Sequence, residues 1–176
     1  QIEAFFAEGL IKTPADIFTL EKRDRESLMR IKNREGWGEK SANNLFTAIE
    51  KARNVTLARL IYALGIRHVG EETAKLLARN YGTVEAWMSA MNKPEMAEDL
   101  LTIDGIGNSV VEALHAFFRE PHNRETMHEL LRHLTVKPYE APANRNSPVS
   151  GKTVVFTGTL ETIGRKEAKS RAEALG

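Results

Sequence analysis

Three glycine-centred triplets each run into an amphipathic stretch: Gly36-Trp37-Gly38 before EKSANNLFTAI, His68-Val69-Gly70 before EETAKLLARNY, and Gly105-Ile106-Gly107 before NSVVEALHAFF. Glycine permits positive φ and has no side chain to hold a ligand off the main chain, so such a turn can present successive backbone N–H groups. A helix that starts directly afterwards brings its unsatisfied first-turn N–H groups and positive dipole end to the same spot. The chemistry this suits is anion binding, phosphate above all. Contacts of that kind grip a nucleic-acid backbone and fix register without reading base sequence. The candidate binding residues are Lys32, Arg34, Gly36, Trp37, Gly38 and Lys40 at the first turn. At the second they are Arg67, His68, Val69, Gly70, Thr73 and Lys75, and at the third Gly105, Ile106, Gly107 and Asn108.

The elements that must position these turns are legible as well. Aligned on Gly38, Gly70 and Gly107, the chain places Ala42, Ala74 and Val111 at one step, then Leu45, Leu77 and Leu114, then Ile49, Tyr81 and Phe118. That is one apolar helical face written three times. A single Gly turn before a helix is common in any helical bundle; three in register resemble the helix-hairpin-helix motif of non-sequence-specific DNA-binding proteins. The second turn departs from the pattern, because His68 stands where the others have Gly36 and Gly105. It either holds phosphate less closely or offers its imidazole.

Charge divides the chain. Residues 30–80 hold 10 Lys or Arg against 5 acids and contain the first two turns, whereas residues 81–136 hold 4 against 9. The third turn, among Asp99, Asp104 and Glu112, reads equally as a structural turn that completes a pseudo-symmetric pair. The net charge of +1 is therefore an average over opposite halves.

With 176 residues, 41% hydrophobic and 28% charged, the chain can build one substantial core or two small domains. It has no apolar run long enough to span a membrane and no cysteine for disulfides or thiolate metal sites. A cytoplasmic monomer is the expectation. Residues 1–137 read as helices joined by short connections with no alternating strand pattern, including IEAFFAEGLI, TPADIFTL capped by Thr13, and NRETMHELLRHL. Residues 138–150, with three prolines, read as a linker. Residues 151–176 then begin an α/β unit, a strand in GKTVVFTGTL and a helix striped by Ala168, Ala172 and Leu175. The fold class is mainly α, a tandem hairpin array followed by a linker and a truncated α/β segment.

Other chemistries fit poorly. The string GKT at Gly151 to Thr153 lacks the glycine that a Walker loop places five residues upstream, where Asn146 stands. His122, His128 and His133 do not share one helical face, so no metal ligand set emerges. No carboxylate pair forms a catalytic frame, and no catalytic residue is assigned.

Taken together, REGWGEKSANNL, LARLIYALGIRHVGEETAKLLA, the Pro-rich linker and GKTVVFTGTL resemble the carboxy-terminal part of bacterial NAD-dependent DNA ligases, with the tail resembling the start of a BRCT domain. The resemblance implies a parent enzyme that uses NAD, Mg2+ and Zn2+ to seal nicks, and a fragment that grips the nicked double-stranded DNA without binding a cofactor itself. The family's adenylated lysine lies in a KxDG motif, and Thr102-Ile103-Asp104-Gly105 has threonine in its place. The resemblance also implies that Gln1 to Ile11 is the remnant of a truncated first hairpin, and that Thr157 and Gly158 mark a BRCT phosphate contact. A scaffold or adapter of another DNA repair protein, built from the same hairpins, is the alternative; a helical protein-interaction module is a third class.

Overall fold

In the computed structural model, residues 2–141, 152–155, 168 and 172 are described. The chain divides into two compact units, Gln1–Tyr139 and Glu140–Gly176. The described residues of the first unit form nine α-helices: α1 (Ile2–Ala7), α2 (Asp16–Glu26), α3 (Glu39–Ala52), α4 (Leu57–Ala63), α5 (Glu71–Tyr81), α6 (Val84–Met91), α7 (Met96–Leu101), α8 (Asn108–Arg119) and α9 (Pro121–Leu131). A short 3-10 helix, Ile31–Asn33, precedes the first triplet. The three triplets join α2 to α3, α4 to α5 and α7 to α8, so the expected mainly α array of hairpins is the fold.

The repeated apolar face packs as read. Ala42, Ala74 and Val111 are buried, as are Leu77, Leu114, Ile49 and Phe118. The second and third hairpins share one core, in which Trp87 meets Phe118 edge to face at 5.2 Å. The first hairpin has a smaller core of its own, built on Phe5, Ile11, Leu20, Ile31, Ala42 and Ile49.

Four local readings are corrected. Helix α1 stops at Ala7 instead of running to Ile11, because Gly9 takes φ 72° and closes a Schellman end: Leu10 N donates to Phe5 O at 2.8 Å and Gly9 N to Phe6 O at 3.0 Å. A turn then leads from α1 into α2. Thr13 does not cap α2 through its hydroxyl. The Asp16 carboxylate instead accepts from Lys12 N at 2.9 Å and Thr13 N at 2.8 Å.

The third correction concerns strands. β1 (Asn54–Thr56) and β2 (Thr135–Lys137) pair in parallel, Val55 opposite Val136. Three-residue β-branched stretches are too short to show alternation, and only the fold brings them together. β2 and the Tyr139 N–H, which donates to Gly82 O at 2.8 Å, hold residues through 139 in the first unit. The fourth lies in the tail, where residues 152–155 of the expected strand are not in a strand, and Val154 and Val155 are exposed. No partner strand flanks them among the described residues. Ala168 and Ala172 are helical, with Ala168 buried. Thr157 and Gly158 lie outside the described residues.

Candidate nucleic-acid interface

The three hairpins are built by one hydrogen-bond pattern. Trp37 N donates to Arg34 O, Val69 N to Ile66 O and Ile106 N to Ile103 O, each at 3.0 Å. The third residue of each four-residue turn carries the positive φ: Gly36 at 75°, His68 at 64° and Gly105 at 88°. That is the position at which a type II turn requires it. His68 therefore adopts the conformation its glycine counterparts adopt, and its imidazole is displayed at the exposed tip.

The residue after the positive φ anchors the turn. Val69 is 5% exposed and Ile106 7%, while Trp37 is half-buried and stacks on Phe5 at 5.4 Å between ring centroids. Their side chains and N–H groups are thus spent on the fold. What faces outward is the stretch that follows. Gly38, Gly70 and Gly107 are the N-caps of α3, α5 and α8, and none offers a side chain to the first-turn N–H groups, although in α3 the Ser41 hydroxyl accepts from Gly38 N at 2.9 Å. The helices α4, α6 and α9 are capped by Thr56, Thr83 and Glu120, while α2 and α7 are uncapped.

Glycine at these three N-caps is not explained from within. Their φ values of −152°, −83° and −107° are open to any residue. A Cβ built on any of them would meet nothing within 4 Å among the described residues. Gly105 is the opposite case: a Cβ there would stand 2.9 Å from Leu76 Cδ1 of α5, so this glycine lets the third hairpin pack against the helix of the second. The backbone angle accounts for Gly36 and Gly105, and at Gly105 Leu76 also stands close. Gly38, Gly70 and Gly107 point to something outside.

The basic side chains fall into two groups. Lys40 and Arg67 are exposed. Lys32 lies 3.4 Å from Glu39, Lys75 lies 3.4 Å from Glu71 and 3.3 Å from Glu72, and Arg34 pairs with Glu8 of the α1 end. Arg34 is turned toward the body of the molecule, with its Nε buried and lacking a hydrogen-bond partner among the described residues. Thr73 is half-buried in the first turn of α5, and Asn108 opens α8 fully exposed. No acid occupies the first turn of α8, whereas Glu39 and Glu71 and Glu72 occupy those of α3 and α5. The carboxylates around the third hairpin therefore do not sit at its helix end.

A cleft of about 520 Å³ separates the second hairpin from α8, with Arg67 and His68 on one wall and Ser109, Glu112 and Phe117 on the other. The second turn and the helix behind the third, far apart in sequence, thus line one space.

Sequence reasoning missed the residues that hold the turns in place. Asp16 ties down the turn before α2; burial pushes its carboxyl up, but hydrogen bonds from Lys12 and Thr13, with Arg23 nearby, outweigh this and hold it below its ordinary value. Asp24, buried, accepts from Ile31 N at 2.7 Å. Arg53 joins the two cores: Nη2 donates to Phe18 O at 2.6 Å, Nη1 to His133 O at 3.3 Å, and the guanidinium lies 5.4 Å over the Phe18 ring. No local pattern singles out Arg53, because its partners are 35 and 80 positions away.

Among the described residues no helix is long and apolar enough to cross a membrane, and no group of three or more His, Cys, Asp or Glu is placed to hold a metal ion. The family model of the helix-hairpin-helix motif matches residues 59–127, which contain the second and third hairpins. Over its whole length the chain is 52% identical to a DNA ligase of Cereibacter sphaeroides, 50% to one of Azorhizobium caulinodans and 53% to one of Parvibaculum lavamentivorans. It spans 26%, 27% and 26% of those proteins, about a quarter of their length. The chain carries a helix-hairpin-helix motif and is similar, from end to end, to about a quarter of a DNA ligase.

Proposed function

We propose that this chain grips double-stranded DNA through backbone-phosphate contacts at its three hairpins, as the DNA-holding part of a nick-sealing ligase. The observation that carries the reading is the trio of N-cap glycines, required neither by backbone angle nor by internal packing, each opening a helix whose first-turn N–H groups receive no N-cap side chain. A phosphate oxygen that approaches the first-turn N–H groups occupies the space a side chain would take. Lys40 and Arg67 add exposed positive charge, and the other cations add theirs against nearby carboxylates. Such binding is sequence-independent and weakens as salt rises.

The reading assigns adenylation, with NAD, Mg2+ and Zn2+, to the parent enzyme. The KxDG-like string Thr102 to Gly105 has threonine where that motif has lysine, and the Thr102 hydroxyl donates to Asp99 O at 2.6 Å.

Alanine at positions 38, 70 and 107 is expected to leave the unfolding free energy within about 1 kcal/mol of wild type, since the angles are ordinary and the space is open. Valine there is expected to weaken binding to a nicked duplex, most at Gly38 and Gly70, where the chain is basic. Urea unfolding checks the first, and anisotropy titrations over a salt series check the second. Valine variants that fold and bind as wild type, or an affinity independent of salt, would refute the reading.

A further inference from the structure

The approach to the first hairpin carries a feature that phosphate binding leaves unused. The loop from Ser27 to Arg30 places two apolar side chains in water, Leu28 at 100% exposure and Met29 at 74%. The loop is fastened at its base. Asp24 accepts from Ile31 N at 2.7 Å, Ser27 N donates to Asp24 O at 3.2 Å, and Ser27 Oγ accepts from Met29 N at 3.1 Å. Arg30 Nη2 reaches back to Arg25 O at 3.0 Å, and Ile31 is buried in the small core. The fold thus invests a buried carboxylate in holding an apolar tip away from every core.

Charge around the tip is one-sided. Residues 22–34 hold Lys22, Arg23, Arg25, Arg30, Lys32 and Arg34 against Asp24 and Glu26; Arg25 pairs with Glu21, Lys32 with Glu39 and Arg34 with Glu8, while Lys22, Arg23 and Arg30 have no carboxylate at ion-pair distance among the described residues, and Asp24 is committed internally. An apolar tip beside cations that no carboxylate holds fits a polyanion with an apolar interior. Duplex DNA is that partner, since apolar side chains inserted from a groove partly unstack a base step while flanking cations meet phosphate.

We infer that Leu28 and Met29 form a second contact with duplex DNA, wedging into the groove beside the phosphates held at the first hairpin; this rests on the phosphate-binding reading above. Backbone contacts alone are indifferent to a strand break. A wedge is not, because it must bend or unstack the duplex, and an interrupted strand yields at lower cost. The tip therefore confers preference for nicked over intact duplex.

The test compares the 176-residue chain with its Leu28→Ser/Met29→Ser variant on nicked and intact duplexes of one sequence, over a salt series. Both side chains stand in water, so the thermal midpoint should hold. Affinity for the nicked duplex should fall about five- to tenfold, and less for the intact one, with an unchanged slope of log K against log salt because no ionic contact is lost. Equal affinity of the two proteins for the nicked duplex would overturn the inference. So would a shallower salt slope, or a change in sedimentation without a change in DNA affinity, which would make the tip a protein contact. If the wild-type chain binds neither duplex, the phosphate reading itself fails; if hairpin valine variants weaken binding and the serine pair does not, the wedge alone fails.

Discussion

The first hairpin and the pair formed by the second and third reach the same turn geometry by different means. Among the described residues, 21 buried side chains form the single core under the second and third hairpins, against six under the first. Leu76 Cδ1 lies 2.9 Å from where a Cβ on Gly105 would stand, so the two hairpins of the pair approach closely. The first relies on two polar contacts, the Asp24 carboxylate under its approach and the Arg34–Glu8 pair at its turn, together with the Trp37–Phe5 stack beside it. A shared apolar core makes two sites one rigid body, because close packing resists small displacements. Directional polar contacts fix a third site with less buried area. The difference teaches that identical local motifs need not be equally rigid, and that spacing between phosphate sites depends on what joins the cores.

The largest break of this comparison should come from Leu114→Ala, which empties a fully buried position in the shared core. The expected cost is about 2–5 kcal/mol in urea unfolding. Hydrogen exchange should show amides of both the second and third hairpins losing protection together, while α2 and α3 retain theirs. Loss confined to one hairpin would mean that the two do not share a core in solution.

Arg53→Met addresses the joint between the cores. It strands the Phe18 and His133 carbonyls, and the expected cost is about 1–3 kcal/mol. DNA affinity should fall further than either hairpin's own integrity explains, since the sites lose their fixed spacing. Arg53→Lys restores charge without the two-pronged reach and should recover only part of the affinity. Recovery to wild type would reduce Arg53 to a charge.

The smallest effect sharpens the polar side of the comparison. The Asp16 carboxyl lies below its ordinary 3.8 in the folded chain. A lowered carboxylate contributes stability that is fully present above the unfolded pKa and is lost as pH falls through the folded value. The thermal midpoint of wild type should therefore exceed that of Asp16→Asn near neutral pH, and the gap should close as pH drops below 3.8. A gap that persists in acid would show that the carboxylate charge is immaterial to the turn.

Much of the interface could be read from the chain alone because its grammar is local. A positive φ two residues before a helix selects glycine or a tolerant substitute, and the helix behind it repeats an apolar face with a period of about 3.6. These fixed the three turns, the helices after them and the expectation of phosphate. Less local features were misread. The helix end at Gly9 was hidden by an apolar run that continues to Ile11, and β1 and β2 were too short to show alternation.

Sequence determined the turns, since each is a four-residue matter of backbone sterics. Tertiary structure decided which side chains are spent on the fold and which remain for a partner. Val69 and Ile106 are anchors because a core lies beneath them, and Arg34 faces Glu8 because α1 folds back beside it. Gly105 and Gly107 look alike in sequence, yet one meets Leu76 and the other meets open space. That distinction depends on what a neighbouring helix places within van der Waals reach, and no spacing along one chain segment contains it.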